Sequence, residues 1–319
     1  MPLSNQISVV IPCYNGARYI AATLRSVLAQ DGVDLDVIVV DDGSKDGSAE
    51  LVEHAFPEVR VLRQANGGVA AARNTGIREA RHDLVAFVDA DDIWLPGKLK
   101  AQLALLQAHP ESRMAYSAWQ VWTSDQPEPD PCWLAAVLDR ADDPSRWAGP
   151  TGWIYPDLLL DCRVWTSTVL AQRSLLRELE GFDQTMRIGE DYDLWLRASR
   201  VTPIVRVARP LALYRLHPGN VTKRVPVANH KGDVVMRALD RWGYCSPDGR
   251  SAGRADVARA LARTWIDFSG THLMGGNLRT ARLAALRAVR TDPAQWQAWV
   301  LLARSVLLSL RHPSVAQSH

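Results

Sequence analysis

The sequence predicts an α/β fold: a mostly parallel central sheet flanked by helices, followed by a C-terminal helical appendage. Three observations carry this reading. Short apolar runs alternate with segments of helical period through the first half of the chain, the mark of right-handed βαβ units. Two of those runs end in acids: Val37 to Val40 meets Asp41 and Asp42, and Leu84 to Val88 meets Asp89, Ala90, Asp91 and Asp92. From about Ala228 the composition turns rich in Ala, Arg and Leu.

In chain order, Ile7 to Ile11 reads as the first strand and stops at Pro12, which lacks the N–H that a ladder needs. Asn15 and Gly16 follow as turn and cap, and Ile20, Leu24, Val27 and Leu28 keep helical spacing. Val37 to Val40 is the second strand, with Asp46 to Phe56 the second helix. Val59 to Leu62 is the third strand, after which Asn66-Gly67-Gly68 opens a helix reaching Ala80. Leu84 to Val88 is the fourth strand, and Leu99, Leu103 and Leu106 stripe the next helix. Runs this short and apolar are expected to be covered on both faces, as in parallel sheets. Residues 124 to 163 show little regular period among Pro127, Pro129, Pro131 and Trp133, and read as a variable loop region over the sheet edge. A helix from Asp191 to Ser199 should precede two short strands near Ile204 to Val207 and Leu211 to Leu216. In the tail, Gly275-Gly276-Asn277 separates two helices in a tetratricopeptide-like way, with Ala281, Ala284, Ala285 and Ala288 ahead of Asp292-Pro293. One such unit falls short of an array. The domains are drawn at residues 1–225 and 226–319.

Composition narrows the class. The chain has 319 residues, 47% of them apolar, so a substantial core is available and wholesale disorder is not expected. A net charge of +2 gives no general polyanion footprint, and no nucleic-acid partner is expected. The four cysteines are scattered without zinc spacing, which fits reduced thiols in a cytoplasmic protein. The opening MPLSNQISVVIP does not read as a secretory signal. Trp296 to Leu310 comes nearest to a spanning segment but is interrupted by Gln297 and Arg304, and reads as a buried or interfacial helix. A cytoplasmic protein is expected, with possible contact at the inner face of the membrane.

In open α/β sheets ligands bind just beyond the carboxyl ends of the strands, and both acid clusters belong at that edge. So much negative charge is tolerable only beside a cation or a hydrogen-bonding ligand, which points to a metal and nucleotide site. A third acidic pair, Glu190-Asp191, opens a helix, where acids also favour the helix dipole. Asp92 suits either a helix cap or a ligand. Asp41-Asp42-Gly43-Ser44 is also a plausible turn by itself.

Five segments in order, ISVVIPCYNG, VIVVDDGSKDGS, NGGVAAARNTGI, AFVDADDIWLP and GEDYDLWLR, resemble family 2 of the inverting glycosyltransferases, which have the GT-A fold. The resemblance covers roughly residues 5 to 222 and leaves the tail aside. It implies transfer of a sugar from a nucleotide-diphosphate donor, with UDP preferred, to a glycan or lipid-linked acceptor in cell-surface polysaccharide or glycoconjugate synthesis. Asp89-Ala90-Asp91 is similar to the family's DxD motif: Asp91 would be the direct metal ligand, with Asp89 nearer the ribose and metal waters. Hard oxygen ligands favour Mg²⁺ or Mn²⁺. By the same resemblance, Asp42 would accept the uracil N–H, with Asp41 beside it. Pro12, Tyr14 and Asn15 would line the pocket, and Arg73 would contact the nucleotide. Asp191, next to Glu190, would be the base that removes the acceptor's proton. His217, in YRLHPGN, resembles the family's C-terminal metal or diphosphate contact. Acceptor choice would lie in residues 124 to 163. Trp195 reads as core, as do most of the twelve tryptophans. An alternative from another class is a catalytically silent nucleotide-sugar-binding or scaffold protein that works through its helical tail. A nucleotidyltransferase would want a glycine-rich basic loop after the first strand, and PCYNGAR does not supply it. A dehalogenase-type phosphatase would need D-x-D-x-T there, which is absent.

Overall fold

Every residue of strand β1 (Gln6–Cys13) after Gln6 is buried, as expected for a strand covered on both faces. The computed structural model describes residues 3–141, 143–220 and 225–311. The last two positions of the family resemblance, 221 and 222, lie outside these. The chain divides into two units: Met1–Ile154 with Arg163–Pro218, and Tyr155–Cys162 with Gly219–His319.

The first unit is built on β1, β2 (Asp34–Asp41), β3 (Arg60–Arg63), β4 (Leu84–Phe87), β5 (Ile93–Trp94), β6 (Met114–Thr123), β7 (Leu170–Gln172) and β8 (Ile204–Leu216). They form one sheet in the order β3-β2-β1-β4-β7-β6-β8-β5. The pairs β1–β2, β1–β4, β2–β3 and β6–β8 are parallel. The pairs β4–β7, β6–β7 and β5–β8 are antiparallel. The expected α/β sheet is therefore present, parallel in its first half and mixed in its second.

Helices α1 (Ile20–Leu28), α2 (Ser48–Ala55), α3 (Val69–Glu79) and α4 (Lys98–Ala108) follow the strands as their apolar periods indicate. Ile20, Leu24 and Val27 of α1 join Leu99, Leu103 and Leu106 of α4 in one core with Ile7, Val9 and Ile11. On the other face α3 lies so close to β1 that a Cβ on Gly76 would stand 2.2 Å from a Val10 methyl. At the far end of β2, Asp36 accepts from Ser8 Oγ at 2.9 Å and from Arg60 at 2.9 Å. The Arg81 amide donates to it as well, at 3.2 Å, so one carboxylate ties β1, β2, β3 and the end of α3.

Several expectations need correction. β1 does not stop at Pro12 but runs on to Cys13, with Pro12 opposite Val40. Pairing with β4 ends at Val10, so the missing N–H of Pro12 leaves no gap on that side. The two short strands expected over 204–207 and 211–216 are one strand, β8, whose register against β6 shifts between Ser117 and Gln120. Such a bulge carries the chain past Pro210. Residues 124 to 163 are not without regular structure: α5 (Pro131–Ala141) buries Val137 and Ala141, and Trp133 stacks on Trp122. The third of its prolines sits at the first helical position, where the ring's fixed φ suits a helix. Helix α6 (Tyr155–Leu158) follows and belongs to the second unit, while α7 (Arg173–Glu178) and α8 (Glu190–Ala198) complete the first.

The second unit holds α6 with α9 (His230–Trp242), α10 (Arg254–Met274), α11 (Leu278–Thr291) and α12 (Trp296–Arg311). Tyr155 donates its hydroxyl to the Gly243 carbonyl at 2.8 Å. The turn at Gly275-Gly276-Asn277 joins α10 to α11 as expected, with Asn277 capping α11 through the Thr280 amide at 3.0 Å. Ala281, Ala284, Ala285 and Ala288 are buried on α11, whose small side chains let α10 approach.

Candidate active site

The carboxyl ends of β1, β2 and β4 converge, so the loops that follow them are laced together. After β1, Asn15 takes a left-handed φ of 52°, which asparagine tolerates. Its amide donates to Ser44 Oγ at 2.9 Å, and its side-chain oxygen accepts the Lys45 amide at 2.9 Å. Asn15 thus ties two loops and does not cap α1, a second correction to the expected turn and cap. The Gly16 amide donates to Ser48 Oγ and the Ala17 amide to Asp46, each at 2.9 Å. A Cβ on Gly16 would lie 3.4 Å from that of Ala90, which brings the loop after β4 against the loop after β1. Pro12 is buried in the strand, whereas the Tyr14 ring is exposed.

The two acids after β2 differ sharply. Asp42 accepts from the side chain of Gln64 and from the amides of Gly67 and Gly68, all at 2.8 Å. Its carboxylate therefore holds the loop that starts α3. Asp41 is buried too; one oxygen accepts the Ser44 amide at 3.3 Å, and Oδ1 has no protein partner. A buried carboxylate oxygen left without a donor is costly, and a ligand donor would relieve it.

Arg73, on the buried face of α3, joins two of the acid clusters. It donates to Asp89 at 2.7 Å and to Glu190 at 2.8 Å, and its guanidinium lies 5.1 Å from the Phe182 ring centroid. Burial works against its charge, but Asp89, Glu190 and Asp191 outweigh that and raise its pKa. Glu190 is nearly inaccessible at 6% exposure. Burial first, then the charge of Asp191, pushes it up to about 7 against the pull of Arg73. Asp191 accepts the Thr166 hydroxyl at 2.9 Å and the Tyr192 amide at 2.7 Å, and is partly exposed at the start of α8.

In the turn after β4, Asp89 and Asp91 are partly exposed and Asp92 is buried. Asp92 caps no helix. It accepts from Trp165 Nε1 at 3.0 Å, from Ser167 Oγ, and from the Arg215 amide at 3.0 Å, so β8 and the segment before β7 converge on it. Burial, then Asp91 and Asp89, push its carboxyl well above the usual range. Arg215 secures the same turn by donating to the Asp91 carbonyl at 2.6 Å, with its guanidinium 4.2 Å from the Trp122 ring centroid. The His217 ring nitrogen Nε2 lies 3.0 Å from Asp91 Oδ2, and its ring packs against Tyr19. Burial and Asp89 raise the Asp91 carboxyl, against the contact with His217.

Arg73 thus ties Asp89 to the start of α8 that carries Asp191, Thr166 holds Asp191, the adjacent Ser167 holds Asp92 and the Asp89 amide, and His217 meets Asp91. Asp42 belongs to the same edge through the start of α3. Trp195 is core, packed against Phe87 and Phe182. The residues that sequence reasoning missed are Gln64, Thr166, Ser167 and Arg215, which hold the acids in place. The first three lie in segments without period. Arg215 precedes the singled-out His217 and carried no signal beyond that position.

Among the described residues no group of three or more His, Cys, Asp or Glu side chains forms a ready-made metal site. Asp91 and His217 offer one carboxylate and one imidazole on a partly open edge. That pair would leave a cation's remaining positions to water and substrate oxygens; the carboxylate suits Mg²⁺ or Mn²⁺, and the imidazole is a softer donor than Mg²⁺ usually takes.

A mixed eight-stranded sheet of this order with acids at its carboxyl edge is the GT-A fold. The model for glycosyl transferase family 2 matches residues 8–144 of the chain. Among its relatives, the UDP-Glc:α-D-GlcNAc-diphosphoundecaprenol β-1,3-glucosyltransferase WfgD of Escherichia coli is 28% identical over 192 residues, 60% of this chain and 68% of that protein. The crystal structure of S. aureus TarS 1-349 in complex with UDP has the same fold, with a TM-score of 0.59 and 18% identity over 97% of this chain and 92% of that one. So does the mannosyltransferase PcManGT from Pyrobaculum calidifontis in complex with GDP-Man and Mn²⁺, at TM-score 0.56 and 22% identity over 98% and 83% of the two chains. The chain spans 65% or less of the length of the uncharacterised glycosyltransferases of Rickettsia species that it matches. No helix among the described residues is long and apolar enough to cross a membrane.

Proposed function

We propose that this protein is an inverting glycosyltransferase that moves a sugar from a nucleotide-diphosphate donor, with UDP preferred, to a glycan or lipid-linked acceptor hydroxyl in cell-surface polysaccharide or glycoconjugate synthesis. The observation that carries it is the Arg73 bridge between Asp89 and Glu190, which sets the DxD turn beside the start of α8. Asp41, with its unpartnered buried oxygen, is the residue to which we assign the nucleobase N–H. Asp42, assigned to the base in the sequence reading, instead anchors the α3 loop. Pro12 and Tyr14 flank the same strand end. Asp89 and Arg73 serve the donor's ribose and phosphates, with the Ala90 backbone between the acids.

Mg²⁺ or Mn²⁺ held by Asp91 and His217 would supply charge neutralisation to the departing diphosphate. Asp191 takes the proton from the acceptor hydroxyl as its oxygen bonds to the anomeric carbon, and the bond to the diphosphate breaks on the opposite face. Inversion follows without an enzyme nucleophile. Thr166 and the Tyr192 amide orient Asp191 while leaving it a lone pair for that proton. Glu190 positions Arg73. The lipid-linked acceptor named for WfgD favours that acceptor class here. We divide the chain at residues 225 and 226 into the catalytic domain and its helical appendage, and place the protein in the cytoplasm, in contact with the membrane.

The test is a thermal-shift screen of UDP- and GDP-sugars with and without Mn²⁺, because a ligand at about 100 times its Kd stabilises by about 2.7 kcal/mol. A UDP-sugar should raise Tm only with the metal present. Asp91→Ala should lose that shift together with turnover. Asp191→Ala should keep the shift while turnover falls about 10³-fold or more. Equal loss of donor binding in both variants would refute these roles, and donor binding without transfer to any acceptor would favour the silent-scaffold reading.

A further inference from the structure

The C-terminal helices carry a surface that catalysis does not use. On α12, Trp296, Trp299, Val300, Ala303, Val306, Leu307 and Leu310 recur at helical spacing and are all exposed, Trp296 at 66% and Leu310 at 74%. They lie opposite Ala298 and Ser305, which are buried against the rest of the unit. The stripe continues into a groove of about 490 Å³ between α10 and α12, where Ile266 and Met274 face Trp296 and Val300. Trp299 ties its indole N–H to the Pro293 carbonyl at 2.9 Å, so its ring is held in place while it stays half exposed. A water-soluble surface rarely leaves so many large apolar side chains in one line without a partner.

Charge says which partner. Residues 226–319 hold thirteen Lys and Arg against six Asp and no Glu, and this leaves 24 basic against 29 acidic residues for the rest of the chain. α11 presents Arg279, Arg282, Arg287 and Arg290, all exposed, and Arg304 borders the apolar stripe of α12. Neither helix contains an acid. A second copy of this face would set these arginines against each other with no carboxylate on α11 or α12, and among the groove-lining residues only Asp267 of α10 is acidic. An anionic lipid surface meets both features: its headgroups attract the arginines, and its acyl boundary accepts Trp, Leu and Val side chains. α12 has 16 residues with Arg304 inside, which suits lying in the interface.

We propose that the exposed face of α12, with the arginines of α11, docks the protein on an anionic bilayer surface. The proposal rests on the charge and exposure of this unit and stands apart from the donor reading. It is tested with the full chain and vesicles of phosphatidylcholine with and without phosphatidylglycerol, by co-sedimentation without donor. Binding should require phosphatidylglycerol and weaken in raised salt. Leu307→Glu with Leu310→Glu, and separately Arg282→Glu with Arg290→Glu, should each reduce binding about tenfold or more. Both double variants sit on exposed positions and should keep the wild-type circular dichroism and the wild-type response to nucleotide sugars. Absence of binding to phosphatidylglycerol vesicles, or binding unchanged in both variants, overturns the proposal. So does light scattering that shows a dimer of the wild type abolished by Leu307→Glu with Leu310→Glu.

Discussion

At the scale of single residues, two adjacent aspartates do opposite work. Asp42 spends its carboxylate on Gln64 and the amides of Gly67 and Gly68, whereas Asp41 keeps Oδ1 buried and free of protein donors. Asp41→Asn should therefore weaken donor binding about tenfold with little change in Tm. Asp42→Asn should lower stability by about 1–3 kcal/mol, because an amide group replaces an acceptor among donors. Isothermal titration with UDP beside chemical denaturation of both variants separates the two, and a loss of donor affinity confined to Asp42→Asn would reverse the assignment. Thr166 touches the proposed base, not the donor. Thr166→Val should lower kcat about tenfold while leaving the donor KM within about twofold, and Thr166→Ser should restore most of it. A change in donor KM alone would remove the positioning role. Sequence could name the acids because their types and places are chemically loud. It could not name Thr166 or Gln64, since a hydroxyl or an amide in an aperiodic segment signals nothing until a carboxylate is folded against it.

At the scale of elements, the site depends on α3 lying flat against β1. Gly76 permits that approach, since any Cβ there meets Val10. Gly76→Ala should destabilise by about 1–3 kcal/mol despite alanine's better helix propensity, the overpacking term outweighing the backbone gain. A stability gain measured by urea titration would show that α3 yields without strain. The first four strands and helices were legible because strand and helix periods are local properties of a buried β-branched run and an amphipathic stripe. β5 and β7 were not, for two residues of Ile93–Trp94 or three of Leu170–Gln172 carry too little period to stand out. α5 was hidden by its prolines, which mark a loop in sequence and a helix start in the fold. Pro12 misled in the opposite direction, since it was read as a strand end and lies within β1, where pairing with β4 has already ended at Val10.

At the scale of the whole molecule, stability should respond to pH through two carboxyls with opposite signs. For Asp36, burial raises its pKa, but hydrogen bonds from Arg60, Ser8 and the Arg81 amide prevail and hold it below 3.8. Its contribution is present above that value and is lost as the pH falls through the depressed one. Glu190 is raised from 4.5 to about 7, so its contribution is complete below 4.5 and is lost as the pH rises through about 7. Urea midpoints measured across this range should decline between these two values in the wild type and decline less in Glu190→Gln, where the raised Asp91 and Asp92 remain. An identical decline in that variant would mean that Glu190 titrates at its ordinary value. By itself the sequence determined the layered α/β architecture and the acids at its carboxyl edge. Those follow from local periodicity and from the residue types that a charged donor demands. Only the tertiary structure decided which aspartate keeps a free oxygen, which arginine joins two acidic clusters, and which helix face is left exposed. Each depends on what distant segments bring within hydrogen-bond or packing reach, and the sequence fixes that only through the folded chain as a whole.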